Sequence, residues 1–204
     1  MTSIITGDII NSRTSNTGKW MDGLKSVLNR EGLNPQAWEI FRGDSFQVEI
    51  KNPKDALYRA IQIKAAIKQQ KKVDVRMCIG IGDKSYESER LTESNGTAFV
   101  HSGQGFEELK KNKQTLSIVT GDDAFDSEMN LLIRLILIVM DNWTPAVAEY
   151  VTISLRGGLL QEQIAGLLNI SQSSVSERNQ RSYISEIKEV DSWYRDKIFA
   201  HKLG

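Results

Sequence analysis

Residues 38–50, Trp38-Glu39-Ile40-Phe41-Arg42-Gly43-Asp44-Ser45-Phe46-Gln47-Val48-Glu49-Ile50, read as two strands joined by a tight turn. Phe46, Val48 and Ile50 alternate with polar residues, the period-two pattern of a strand with one buried face. Arg42-Gly43-Asp44-Ser45 is the turn. Upstream, Ser3-Ile4-Ile5-Thr6 is a short strand that ends in Gly7-Asp8-Ile9-Ile10-Asn11-Ser12-Arg13. A polar loop runs to Gly18, and Trp20, Leu24, Val27 and Leu28 then recur at helical spacing. Gly32 closes that helix and Asn34-Pro35 turns the chain. Downstream, Asn52-Pro53 breaks the strand. Residues 53–70 follow as an amphipathic helix with Ala56, Leu57, Ala60, Ile61 and Ile67 inward. The basic run from Lys68 to Lys72 reads as a solvated helix end. Residues 73–82 form a nearly continuous apolar strand, hence a central one. A polar loop, a helix over 99–109 and a last strand over 116–120 complete this half.

The order strand, helix, hairpin, helix, strand is the ferredoxin-like split unit, so the expected class is α+β, with helices on one face of an antiparallel sheet. Gly121-Asp122-Asp123 marks the expected boundary, giving one domain over 1–125 and a helical one over 126–204. Helices are expected over 126–142 and 144–155, then a helical pair, then a tail to about residue 199 that the pair can run straight into. The run Leu131 to Met140, LLIRLILIVM, carries Arg134 and falls far below spanning length. It reads as a buried helix, and no membrane partner is expected. Tyr183, Ile187, Val190, Tyr194 and Ile198 form a stripe along the tail that packs at home or against a second subunit.

The helical pair is residues 161–181, QEQIAGLLNISQSSVSERNQR. Ile164, Leu167 and Leu168 give the first helix an apolar face, and Ala165 is small where another helix crosses. Asn169-Ile170-Ser171 is the turn, with Ser171 as the cap of the next helix. Val175 is that helix's lone large apolar anchor, ringed by Gln172, Ser173, Ser174, Ser176, Arg178, Asn179 and Arg181. One buried anchor among side chains able to bond bases and phosphates is what a reading helix needs. The other reading is a helical hairpin with a polar face. The segment resembles the "eIAelLgiSqstVS" pattern of bacterial helix-turn-helix regulators and of the last domain of sigma factors. DNA binding is therefore expected through Gln172, Ser173, Ser174, Ser176, Arg178 and Arg181, and a homodimer is expected because DNA readers frequently pair on two-fold sites.

Charge sets a bound on this. The 204 residues hold 26 Lys plus Arg and 26 Asp plus Glu, so any DNA contact comes from a local patch. Cys78 is the only cysteine, which excludes an internal disulfide and fits a reducing cytoplasm, and no secretory leader is expected. Two histidines, His101 and His201, leave no His/Cys zinc cluster and no nucleophile–base arrangement. Gly80-Ile81-Gly82 lacks a phosphate-loop lysine, and Gly103-Gln104-Gly105 reads as a kink or close approach in a helix.

Asp8 lies just past the first strand and Asp44 at the hairpin tip, on strands that are neighbours in the split unit. Two converging carboxylates suit Mg²⁺ or Mn²⁺, with phosphate oxygens and water completing the shell. Gly-Asp is also an ordinary turn. Arg13 and Arg42, with the backbone at Gly43, either hold ligand phosphates or pair with the carboxylates. Gly7-Asp8-Ile9-Ile10 with Arg42-Gly43-Asp44-Ser45-Phe46 resembles the metal-binding layout of palm domains in class III nucleotide cyclases. Their R-x-G-I-x-x-G strand is mirrored by residues 76–82. Residues 3–120 resemble the SatD-type bacterial family more closely, by the leading GDII-S-R, the internal GDxF, and Gly96-Thr97-Ala98-Phe99. Active cyclases carry an Asn and an Arg on the following helix, where this chain has Val100 and Gln104, with His101 nearby. The resemblance therefore implies a domain that senses a nucleotide or other phosphorylated ligand, or a different metal-dependent transfer.

Overall fold

The structure, a computed structural model, describes residues 1–14 and 17–200. It is an α+β protein. The hairpin forms as its pattern predicts, β2 over Trp38–Phe41 and β3 over Ser45–Ile50, with Phe46, Val48 and Ile50 all buried. Strand β1 spans Thr2–Ile10 and β4 spans Asp74–Gly82. Both are more than twice the length of β2, and they pair antiparallel along their whole extent, from Thr2 opposite Gly82 to Ile10 opposite Asp74. With β5, Leu116–Val119, the sheet order is β2-β3-β1-β4-β5. The first four strands have the order and antiparallel pairing of the split unit. The fifth departs from it by running parallel to β4. The first strand is also longer than expected. The β-branched pair Ile9-Ile10 continues the ladder, so Asp8 lies inside β1 rather than beyond it.

Helices α1, Thr17–Leu28, and α2, Ala56–Lys68, cover one face of the sheet. Trp20, Leu24, Ala60 and Ile61 pack there with Ile5, Val48, Ile79 and Ile118. A third helix, α3 over Thr97–Asn112, lies on the other face, against Ile4 and Cys78. The expectation of helices on one face is thus met by α1 and α2 alone. Gly80 explains why α3 fits: a Cβ there would sit 2.2 Å from the Ser102 backbone nitrogen. Only glycine lets that helix approach so closely.

Helix α4, Asp123–Met140, starts at Asp122, whose carboxylate accepts the N–H groups of Ala124 and Phe125. It runs along the outer edge of β5. Asn130 donates to the Ile118 carbonyl and accepts the Ile118 N–H, and Asp126 accepts the Thr120 N–H. One side of α4 (Phe125, Met129, Ile133, Ile136, Leu137, Met140) is buried. The other is not: Leu131, Leu135 and Ile138 are 50%, 54% and 67% exposed. The run read as a buried helix is thus half open. No helix among the described residues is long and apolar enough to cross a membrane.

Helices α5 (Pro145–Ser154), α6 (Gln161–Leu168), α7 (Gln172–Ser182) and α8 (Ile184–Ala200) complete the chain. Tyr183 adopts the left-handed conformation, φ 49°, and separates α7 from α8, so the two do not run on as one helix. The tail stripe packs at home except at Tyr183, which is exposed. Ile187, Tyr194 and Ile198 are buried, and the Tyr194 hydroxyl donates to the Pro53 carbonyl. A single hydrophobic core runs from Ile5 to Ile198 across both halves. It is reinforced by Lys64, wholly buried on α2, whose ammonium lies 2.8 Å from Asp74 and 2.6 Å from Asp141. Lys68 is drawn into the same cluster, bonding Asp74 and the Asp141 carbonyl. The basic run is therefore solvated only at Lys71 and Lys72.

Candidate functional site

Two candidate sites emerge, at opposite levels of preorganisation. The first is at the end of the sheet. Asn11, with φ 60°, turns the chain out of β1, and the Ser12 hydroxyl then donates to Asp44 at 2.7 Å. Trp20 braces this turn by donating from Nε1 to the Ser12 carbonyl. Arg42 and Gly43 both take positive φ at the hairpin tip, a strain that glycine bears easily and arginine does not. The result is an open cleft of about 320 Å³ lined by Ser12, Arg13, Thr17, Trp20, Arg42, Gly43 and Asp44. Arg13 and Arg42 are exposed, and among the described residues neither is paired with a carboxylate. Two free guanidiniums beside hydroxyls and one carboxylate form a surface suited to phosphate.

Asp8 is next to this cleft but does not line it. Its register partners are Ser45 on β3 and Arg76 on β4, while the Asp44 carbonyl accepts the N–H of the following residue, Ile9. Adjacent register positions project to opposite faces of a strand. Asp8 accordingly faces Arg76, 3.7 Å away, and Asp44 faces Ser12. Asp8 Oδ1 and Arg76 Nε are buried without hydrogen-bond partners. Burial pushes the Asp8 carboxyl above the usual aspartate range; Arg76 and Lys110 pull it back, and Asp44 and Glu107 push it further up. The structure thus brings Arg13, Arg42, Gly43 and Asp44 together. Asp8 lies close enough to feel the charge of Asp44, yet is directed to different partners. The unpartnered Asp8 carboxylate oxygen is the one group here that would take a hard cation that keeps most of its water, with Asp44 reached only through that water. No group of three or more His, Cys, Asp or Glu among the described residues makes a metal centre.

On α3, Val100 is exposed and Gln104 lines a groove over β5. His101 Nδ1 shares a 2.7 Å hydrogen bond with the Ile81 carbonyl, which ties the helix to β4. Cys78 is buried, and burial pushes its thiol up to about 12, so it stays protonated and unreactive at neutral pH.

The second site is α7. Ser171 caps it by accepting the Ser174 N–H, as its sequence position predicts. Val175 is fully buried against a three-helix unit formed with α5 and α6. The Tyr150 hydroxyl donates to Asn179 at 2.8 Å, and Trp143 Nε1 donates to the Ser182 carbonyl. Gln172, Ser173 and Arg181 are exposed, and Ser176 is half-buried. Ser173 and Ser174 direct their hydroxyls to Ser171. Arg178 turns inward, donating to Glu149 at 2.9 Å and to the Ala146 carbonyl. Gln180 is exposed on the outer face, opposite Val175, and the sequence reading passed over it. The signal was available: at 100° per residue, positions two before and five after a buried anchor face outward. Glu177 shares that face and pairs with Arg181 at 3.3 Å.

No protein-family model matches this chain, and no curated protein matches it.

Proposed function

We propose that the chain is a DNA-binding transcription regulator whose sheet-bearing half senses a nucleotide or other phosphorylated ligand. The observation that carries the reading is the division of α7. It buries Val175, turns the half-buried Arg178 and Asn179 toward α5, and leaves Gln172, Ser173, Gln180 and Arg181 exposed, with Ser176 half-buried beside them. A short helix held by its back and presenting uncharged polar groups with one arginine is suited to a major groove. Arg178 then acts by positioning α7, and Arg181 is the phosphate or base contact. The protein works in a reducing cytoplasm as a homodimer on two-fold sites. The outer face also carries Glu177, so binding is modest and falls early as salt rises. The test is salt-titrated selection of genomic fragments by the full chain, followed by sequencing. Recovery of a two-fold motif supports the reading. Recovery of nothing above background at low salt defeats it and leaves α5–α7 as a protein interaction module.

A second reading has its own support in the orphaned Asp8 Oδ1 beside Arg76. It is metal-dependent nucleotidyl or phosphoryl transfer in a SatD-type, cyclase-like domain. Asp8 and Asp44 would hold Mg²⁺ or Mn²⁺, which when bound supplies charge neutralisation to phosphate oxygens. Arg13, Arg42 and the Gly43 backbone would seat the phosphates. Asp8→Asn with Asp44→Asn abolishes nucleoside triphosphate turnover on this reading, and unchanged turnover rejects it.

A further inference from the structure

We infer that the open face of α4 is the surface on which two copies of this chain pair, antiparallel about a two-fold axis at Leu131. Three large apolar residues, Leu131, Leu135 and Ile138, are each half exposed or more on one face of a long helix, whereas other exposed large apolar side chains, such as Leu33, Leu160 and Leu167, lie in loops or on the short α6. The same face continues toward the N-terminal end of α4 through Glu128, Ser127 and Ala124, all exposed. A two-fold contact requires that if residue i meets residue j, j meets i. Placed antiparallel with Leu131 on the axis, α4 satisfies this along its length. Leu131 meets its own copy, Leu135 meets Ser127, and Ile138 meets Ala124. Large side chains thus oppose small ones, as interdigitating helices need.

The charges select the same register. Arg134 meets Glu128 of the other copy, twice over by symmetry. Among the described residues, neither has an ion-pair partner within its own chain. The competing alignment, with Leu131 against Ile138, would set Glu128 against Asp141, a like-charge contact, and Arg134 against Leu135. The α8 stripe cannot serve instead, because it is already buried within its own chain. The pairing supplies the homodimer that two-fold DNA sites call for and in that sense deepens the proposed function. It is measured without DNA, so either idea can fail alone.

The test is sedimentation of the full chain over a dilution series, with circular dichroism to confirm folding. The wild-type chain is expected to be a dimer at micromolar concentration and Leu131→Glu a folded monomer. Glu128→Arg and Arg134→Glu, each alone, weaken association by about tenfold or more through the repulsive pairs they create. The double variant Glu128→Arg/Arg134→Glu restores it to near the wild-type level. A wild-type monomer throughout, a Leu131→Glu dimer of unchanged affinity, or a double variant no tighter than the singles would each overturn the inference.

Discussion

Helices α4 and α8 have nearly equal length, 18 and 17 residues, and each carries an apolar stripe at helical spacing. By sequence they are hard to tell apart, and α4 is the more apolar. In the fold their fates are reversed. The α8 stripe is sealed between α2, α4 and the turn before α2, with the Tyr194 ring tilted against Phe125 at 6.5 Å between centroids. The α4 helix has apolar residues nearly all round, buries one side and displays the other. The difference lies in how many neighbours each helix has. α4 is held against one edge of a sheet, so it can bury only one side, and surplus apolar surface there is free for another use.

The largest effect that would test this contrast is at Tyr194. Tyr194→Ala removes a buried ring and its bond to Pro53, and is expected to cost about 3–5 kcal/mol by urea unfolding. The inner arginine of α7 comes next. Arg178→Ala loses a partly exposed pair with Glu149 and is expected to cost no more than about 1 kcal/mol. It also weakens DNA binding by loosening α7, whereas Arg181→Ala leaves stability alone and lowers the salt slope of binding by about one unit. On α4, Leu135→Ala in dilute protein changes stability by only about 0.5 kcal/mol. A loss rivalling that of Tyr194→Ala would mean that the face is packed at home, and the contrast would collapse. The smallest effect has the opposite sign. The Asp8 pKa is raised in the fold, so the native state holds its proton more tightly than the unfolded chain does. Stability attributable to Asp8 therefore falls as pH rises from the ordinary aspartate range through the raised value. At neutral pH Asp8→Asn is expected to raise the thermal midpoint slightly, and this gain should vanish in acid.

Much of this was legible in the residues. The hairpin alternation, the Trp20-Leu24-Val27-Leu28 face, the Ser171 cap and the Val175 anchor all encode local geometry, and each is present in the fold. What was not legible depended on distant partners. The solvated reading of Lys68 could not foresee Asp141 arriving from a helix end 73 residues on. The length of β1 was set by β4, which offered Arg76, Val75 and Asp74 as partners for Asp8, Ile9 and Ile10. That extension directs Asp8 away from the cleft where Arg13, Arg42, Gly43 and Asp44 gather. Arg178 is a different case. It lies three residues beyond Val175, about 60° away around the helix, so its inward turn was contained in the spacing.

The amide of Asn130 has a consequence of another kind. A sheet that stops at a bare strand offers unpaired peptide groups to any chain that drifts past, and such an edge is where polymerisation starts. Here the outward N–H and C=O of Ile118 are both occupied by that one side chain, and Asp126, a turn earlier on α4, takes the N–H of Thr120. Two side chains on a single helix thus do the work of a sixth strand without being one. The helix that displays Leu131, Leu135 and Ile138 also closes the β5 edge of the sheet to a further strand.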